Sequence, residues 1–444
     1  MHTRLQPSPE PCFLTAAEAA TRIREGRLTS ETLIRSCIER IEARDPLVKA
    51  WLYLDKAQAI ATARELDKRP SLGALHGLPI GVKDMIDTAD MPTTYNSPVF
   101  QHHRPARDAA CVAVARLSGA VILGKTDTVE FAAAGRRAAT RNPKNFAHTP
   151  GGSSSGSGAA VGDRQVQLAF GTQTGGSHIR PASFNGIYGL KPTWGSVSRE
   201  GAKQYSNMLD TIGWYGRSVD DLALVASAFR LHAVGEVAVP EASALRVAYC
   251  RTPFWEKIEP AGERAFAVAC DRLASAGVKL TELTLPRPFG GMFEAQNTIM
   301  MGEGRASFLD AALEFGDRLH QDFHDRVENK PGITPTAMIA AYDLAAACRR
   351  EFEALFANFD AVLAPASPGE APEGSYNTGD HVFNAMWTLL HVPCIGIPCM
   401  TGPKGLPVGV QIVAPRYSDA RLLATAAALA PIIDQETARY VADA

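Results

Sequence analysis

The sequence predicts an α/β protein whose central sheet is covered by helices on both faces. Three observations carry this: short apolar runs of strand length, amphipathic stretches of helix length between them, and an alternation of the two that continues without a linker. Thr15 and Ser30 stand where helix caps belong, and the second helix places Leu33, Ile34, Cys37, Ile38 and Ile41 on one face. Leu78-Pro-Ile-Gly-Val82 reads as a buried strand ending at Lys83-Asp84. Ala109 to Leu117 reads as a helix, and Ala120-Val-Ile-Leu123 as the strand that follows it. Such a βαβ rhythm needs cover on both faces of the sheet.

Between Pro150 and Pro192 the composition turns to Gly and Ser, interrupted by the apolar segment Val166 to Phe170 and closed by Gly186-Ile-Tyr-Gly-Leu-Lys-Pro192. A flexible linker has this composition. These glycines, however, sit between strand and helix signals and return after a buried strand, which predicts ordered loops. Ala244 to Tyr249, a helix through Ala265 to Ala276, and Lys279 to Leu285 repeat the β-α-β pattern. Residues 300–360 read as mainly helical. Strands are expected at Ala361–Ala364, Cys394–Ile397 and Val408–Val413, before a closing helix from Ser418 to Leu429. No repeat of 20–50 residues and no strong boundary divides the chain.

The composition belongs to a globular protein: 46% hydrophobic and 21% charged residues, with 37 glycines and 29 prolines in 444. A disordered, collagen-like or coiled-coil chain is excluded. The net charge of −2 recommends neither nucleic acid nor an anionic membrane as partner, and a small, nearly neutral ligand fits better. The longest run free of Asp, Glu, Lys and Arg, His381 to Pro403, contains Asn384 and three prolines, which a bilayer span disfavours. Met1 to Glu10 holds no apolar stretch of the kind found in secretion leaders, so the expected location is cytoplasmic. The eight cysteines, at 12, 37, 111, 250, 270, 348, 394 and 399, form no C-x-x-C pair, and no histidine cluster has zinc-ligand spacing. They read as reduced thiols, and no metal site is expected.

Two short motifs invite mechanistic readings that their context opposes. Gly119-Ala-Val-Ile-Leu-Gly-Lys-Thr126 matches the phosphate-loop pattern letter for letter, yet its four interior residues are apolar and themselves read as strand. Gly152-Ser-Ser-Ser-Gly156 matches the nucleophile elbow of α/β-hydrolases, but Pro150 lies where that elbow needs a strand end.

A more specific signal is the combination of Gly81-Val-Lys83-Asp, Pro150-Gly-Gly-Ser153-Ser-Ser-Gly-Ser-Gly-Ala-Ala-Val161 and Gly171-Thr-Gln-Thr-Gly-Gly-Ser177-His-Ile-Arg-Pro181. Together these resemble the amidase signature family. Further blocks stand in family order: Gly124-Lys-Thr126 with Glu130-Phe-Ala132, Asn142-Pro143, Gly189-Leu-Lys-Pro-Thr193, Leu209-Asp-Thr-Ile-Gly213, Arg217-Ser-Val-Asp-Asp221 and Gly405-Leu-Pro-Val-Gly-Val-Gln-Ile-Val413. The resemblance therefore spans nearly the whole chain. It implies one amidase signature domain over residues 1–444, a large mixed central sheet, and hydrolysis without a cofactor.

The resemblance assigns roles to three residues: Ser177 the nucleophile, Ser153 the bridging serine after a cis Gly152–Ser153 peptide, and Lys83 the base. The chemistry agrees, because a serine hydroxyl is a weak nucleophile at neutral pH and needs a base beside it. Burial at a strand end disfavours the charged lysine and makes a neutral amine available. The family's oxyanion hole maps to the backbone of Thr174, Gly175, Gly176 and Ser177. Ser154, Ser155 and Ser157 read as loop hydroxyls that satisfy backbone groups.

Substrate identity rests on departures from the family pattern. His178 follows the nucleophile where a small residue is commoner, and Arg180 is a residue type that can grip a carboxylate. Tyr95, Asn96, Trp387 and His391 are candidate pocket walls. The expected function is cleavage of a C–N bond in a small amide, carbamate or urea-like compound through an acyl-enzyme on Ser177. One alternative is the glutaminase component of an aminoacyl-tRNA amidotransferase, which needs partner subunits; another, from a different class, is nucleotide binding at Gly119–Thr126. Dimerisation is common in similar enzymes, which leaves a homodimer open.

Overall fold

A computed structural model describes residues 10–435. The leader-free N-terminus read from Met1 to Glu10 lies, but for Glu10, outside the described residues. Eleven strands form one mixed sheet: β1 (Trp51–Leu54), β2 (Pro79–Lys83), β3 (Val121–Thr126), β4 (Leu168–Gln173), β5 (Tyr188–Lys191), β6 (Thr211–Gly216), β7 (Arg246–Tyr249), β8 (Lys279–Glu282), β9 (Ala361–Pro365), β10 (Cys394–Thr401) and β11 (Pro407–Val413). Their order is β1-β3-β2-β4-β6-β5-β10-β11-β9-β7-β8. β2 runs parallel to both β3 and β4, β7 runs parallel to both β8 and β9, and the ladders between these two groups are antiparallel.

The strands β2 and β3 start as apolar runs and end in the buried polar residues Lys83, Lys125 and Thr126, because helices cover both faces. All residues of β2 and β3 are buried. Helices Ser155–Gly162 and Ile179–Asn185 pack on each other and on the sheet, while Val219–Ala228, Pro260–Ser275 and Asp419–Ile433 form a second packed group. Gly/Ser composition in the first of these helices serves close approach. A Cβ on Gly156 would lie 2.2 Å from the Ala50 carbonyl oxygen, so only glycine lets that helix descend onto the sheet.

The Gly/Ser-rich region is ordered, as expected, and holds two helices and two strands. Thr15 caps the helix Ala16–Arg24 in a capping box with Glu18. The second cap differs from the expectation. Thr29, in extended conformation, accepts the Thr32 amide, whereas Ser30 is already helical, is buried, and donates its hydroxyl to the Gly77 carbonyl at 2.9 Å. β1 and β6 carry little sequence signal, since Trp51–Leu54 is short and Thr211–Gly216 contains two glycines that weaken a strand pattern.

The phosphate-loop match is overturned by the fold. Val121 to Thr126 is strand β3, and no loop remains to wrap a phosphate. The Lys125 ammonium is spent internally, on the Ile86 carbonyl at 2.7 Å, Thr93 Oγ1 at 2.5 Å and the Asp84 carboxylate at 3.3 Å. Gly152–Ser153 likewise follows no strand, so it forms no nucleophile elbow. Among the described residues all eight cysteines are free thiols, no cluster of metal-ligand type is present, and no helix is long and apolar enough to cross a membrane.

Candidate active site

The C-terminal ends of parallel strands β2 and β4 meet the Gly/Ser loops at one place, a usual position for chemistry on such a sheet. β2 ends at Lys83, which is fully buried. Its Nζ lies 2.8 Å from Ser153 Oγ, 3.0 Å from Ser154 Oγ and 2.7 Å from Thr172 Oγ1. No carboxylate bonds this amine among the described residues. Burial holds its pKa well below the usual lysine value, and the field of Asp210 opposes that shift only in part.

Hydrogen-bond valence then assigns the amine's atoms. Ser154 Oγ donates to the Thr172 carbonyl at 3.1 Å, so toward Lys83 it accepts. Thr172 Oγ1 and Ser153 Oγ accept from the amine as well when it is charged; when it is neutral, with two protons on Ser154 and Thr172, its lone pair faces the Ser153 hydroxyl.

Ser153 follows a cis Gly152–Ser153 peptide. The Gly152 carbonyl accepts from the Arg180 guanidinium at 2.6 Å, and Arg180 also donates to the Thr378 carbonyl at 2.7 Å. Arg180 therefore ties the serine loop to the 378 segment through its Nε and Nη2. Ser177 opens the turn before helix Ile179–Asn185, and its carbonyl accepts the Ser154 amide at 3.3 Å, which joins the two serine segments.

The loop from Thr174 to Ser177 is held by its carbonyls. Gln296 donates to the Thr174 carbonyl at 3.0 Å, Thr388 Oγ1 to that of Gly175 at 2.7 Å, and the Arg180 amide to that of Gly176 at 3.2 Å. Thr174 Oγ1 donates to Asp210 Oδ1 at 2.6 Å, while Asp210 Oδ2 accepts the Tyr205 and Ser206 amides. With the carbonyls turned into the protein, the N–H groups of Gly175, Gly176 and Ser177 find no acceptor among the described residues. Unpaired, preorganised donors of this kind suit a developing oxyanion. Both glycines are required by contact as well: a Cβ on Gly175 would lie 2.7 Å from His381 Cδ2, and one on Gly176 2.5 Å from Asn384 Oδ1.

A narrow cleft opens beside this loop, lined by Phe131, Thr172, Thr174, Tyr205, Asp210 and Ile212 among others. The expected pocket residues take varied places around it. Tyr95 packs against Phe131, behind the cleft wall, with its hydroxyl 3.3 Å from Asp87, and Asn96 donates to the Thr128 carbonyl. His178 is fully buried, stacked on Tyr215 at 3.9 Å with Nε2 at the Trp214 carbonyl, and burial pushes its pKa down to about 3. Trp387 is buried against Phe352, and His391 stacks on Trp194 with Nε2 at the Met208 carbonyl. The last three make packing and backbone contacts instead of facing Lys83.

Several residues that build the site escape sequence reasoning. Ser154 reads as a loop hydroxyl and Thr172 carries no signal of its own, yet both hold Lys83. Gln296 has a usable signal: it is a polar side chain on the buried Met292, Ala295, Ile299 stripe of helix Met292–Ser307. Asp210 stands within a family block that gives it no role.

The chain matches the family model Amidase over residues 32–423. It is 31% identical to the A subunit of the glutamyl-tRNA(Gln) amidotransferase from Chloroflexus aggregans, covering 96% of this chain and 98% of that protein. Among solved structures it superposes with a TM-score of 0.84 and 27% identity on a chain from a structure described as an unexpected vestigial protein complex that reveals the evolutionary origins of an s-triazine catabolic enzyme, covering 94% of this chain and 98% of the other. The native peptide amidase from Stenotrophomonas maltophilia gives 0.79 and 27%, over 95% and 97%. Sequence blocks, sheet and family match agree, and the chain belongs to the amidase family, the amidase signature enzymes that act on amide C–N bonds.

Proposed function

We propose that this chain is a serine amidohydrolase in which Lys83 and Ser153 relay the proton of Ser177. The observation that carries the reading is the buried Lys83 Nζ, 2.8 Å from Ser153 Oγ and paired with hydroxyls instead of a carboxylate. In the first half-reaction Ser177 Oγ attacks the substrate carbonyl. Its proton passes to Ser153 Oγ, whose own proton passes to Lys83, and the relay runs back to protonate the departing amine as the C–N bond breaks. The open N–H groups of the 175–177 backbone steady the oxyanion. Water, deprotonated by the same relay, then releases the acid and restores Ser177. All of these groups belong to the chain itself.

The test is intact mass after treatment with a fluorophosphonate, on wild type, Ser177→Ala and Lys83→Ala. One adduct on wild type, absent from Ser177→Ala, is expected. Unaltered labelling or turnover in that variant would remove Ser177 from its role.

Two settings suit this chemistry, a free-standing hydrolase of small amides and the glutamine-hydrolysing component of an amidotransferase. The curated relatives favour the second, because the similar proteins from Chloroflexus aggregans and Acidothermus cellulolyticus are the A subunits of glutamyl-tRNA(Gln) amidotransferases, matched over nearly their full length. Ammonia release from L-glutamine that rises severalfold on adding the partner subunits of a relative would place the chain there; hydrolysis of simple amides without them would place it in the first.

A further inference from the structure

Unpaired buried polar atoms crowd round one short stretch of backbone. His381 Nε2, Asn384 Oδ1, Arg180 Nη1 and Gln296 Oε1 each lack a partner among the described residues, and each side chain touches the Thr174–Gly176 loop. A buried polar atom without a partner is costly, so a cluster of four at one loop points to a group that arrives from outside. His381 stands out within the cluster. Its ring packs against Gly175, where a Cβ would be 2.7 Å from Cδ2 and 3.3 Å from Nε2, and its other aromatic neighbour is Phe293, with centroids 5.2 Å apart. Neither neighbour hydrogen-bonds Nε2. Arg180 on one side and Asp380 in the chain are the charged groups that act on it, and burial together with Arg180 pushes its pKa down to about 4, so the ring is neutral near pH 7.

We propose that His381 is a specificity-determining residue, its Nε2 reserved for a hydrogen-bonding group on the acyl part of the substrate. The site then favours amides whose acyl chain carries a second polar group, as a diamide or a dicarboxylic monoamide does, over plain alkyl amides. Phe293 packs beside the same ring and shields the hydrogen bond from water, which strengthens it. His381 sits one turn before Asn384 and two before Thr388 on the segment that also holds the Gly175 carbonyl. The same short helix thus positions the oxyanion loop and reads the acyl group. The inference rests on Ser177 being the nucleophile, as proposed above.

The test is protection of the fluorophosphonate reaction by malonamide and by butyramide, in wild type, His381→Leu and His381→Gln. Wild type is expected to be half-protected at a roughly tenfold lower concentration of malonamide than of butyramide, a ratio in keeping with one neutral hydrogen bond. His381→Leu should bring the two within about twofold of each other, each protection being measured against that variant's own unprotected labelling rate. His381→Gln, which returns an amide near the Nε2 position, should restore the preference. Equal protection in wild type, or a preference that survives in His381→Leu, overturns the role of His381. Absence of any adduct on folded wild type is a different failure, since it strikes at Ser177.

Discussion

Lys83 and Lys125 lie on neighbouring parallel strands, one step apart in register, and are equally buried. Each bonds a threonine hydroxyl, but only one has a carboxylate partner. Lys125 has the Asp84 carboxylate at 3.3 Å, and Asp84 is held in turn by the Thr94 amide at 3.0 Å. Lys83 has three hydroxyls. Burial pushes the pKa of both amines down, but Asp84 pushes Lys125 back up, while Lys83 feels only the field of Asp210 from beyond its hydrogen-bonding shell. One lysine thus completes a buried ion pair, and the other is surrounded by hydroxyls with no carboxylate in bonding reach. The comparison teaches that two equally buried lysines are set apart by the identity of their neighbours, which is what the proposed role of Lys83 as base needs.

The sharpest way to break this division is to exchange roles by mutation. Lys83→Met should lower turnover by roughly 10³- to 10⁴-fold, with urea-unfolding stability changed by only about 1 kcal/mol. Lys83→Arg should fail equally, because a guanidinium does not surrender its proton at these pH values. An active Lys83→Arg enzyme would show that no lone pair is used. Lys125→Met is expected to do the opposite: about 3–5 kcal/mol lost in urea unfolding, since Asp84 is left buried and uncompensated, but fluorophosphonate reactivity retained in the folded fraction. Combining it with Asp84→Asn should recover more than half of that loss. Loss of reactivity from folded Lys125→Met would erase the distinction.

The pH dependence of stability sharpens the comparison further. Lys83 has a folded pKa well below 10.5, so between that lowered value and 10.5 the unfolded chain binds a proton that the folded chain does not. Stability therefore rises with pH across this interval, by at most about 1.4 kcal/mol per pH unit for one proton. Lys83→Met should reduce the slope without abolishing it, because Lys125 is displaced in the same direction. An unchanged slope would mean that Lys83 is charged in the folded protein. On the kinetic side, kcat/KM should fall on the acid limb as Lys83 gains its proton.

The smallest effect expected here lies in the Thr174–Ser177 loop. Thr174→Val removes the 2.6 Å bond to Asp210 while the Gln296 bond to the Thr174 carbonyl remains. A tenfold fall in kcat, about 1.4 kcal/mol, with little change in KM is expected from a loosened oxyanion loop. A change confined to KM would assign Thr174 to substrate contact instead.

Much of the sheet is legible in the sequence because its strands obey local rules. Leu78 to Val82 is an apolar run and Val408 to Val413 an apolar run broken only by Gln411, and such runs become strands wherever both faces are covered. The cap expected at residue 30 lies one position earlier because Thr29 and Ser30 are both capping residues, and only backbone conformation separates N-cap from first helical residue. The lysine of the phosphate-loop match is legible as buried strand, whereas its ion pair with Asp84 is not, since the partner comes from the end of another strand.

By itself the sequence determined the α/β class, the family blocks and the three residues on which the chemistry is proposed to turn. Strand patterns, glycine-rich loops and serine spacing are properties of chain order, and they need no knowledge of the fold. Only the tertiary structure decided that Ser154 and Thr172 close round Lys83, that Gln296 reaches back 122 residues to the Thr174 carbonyl, and that His381 stands unpaired against Gly175. A shifted pKa, an aimed amide and an open hydrogen-bonding atom all depend on which groups fold against a residue and which do not.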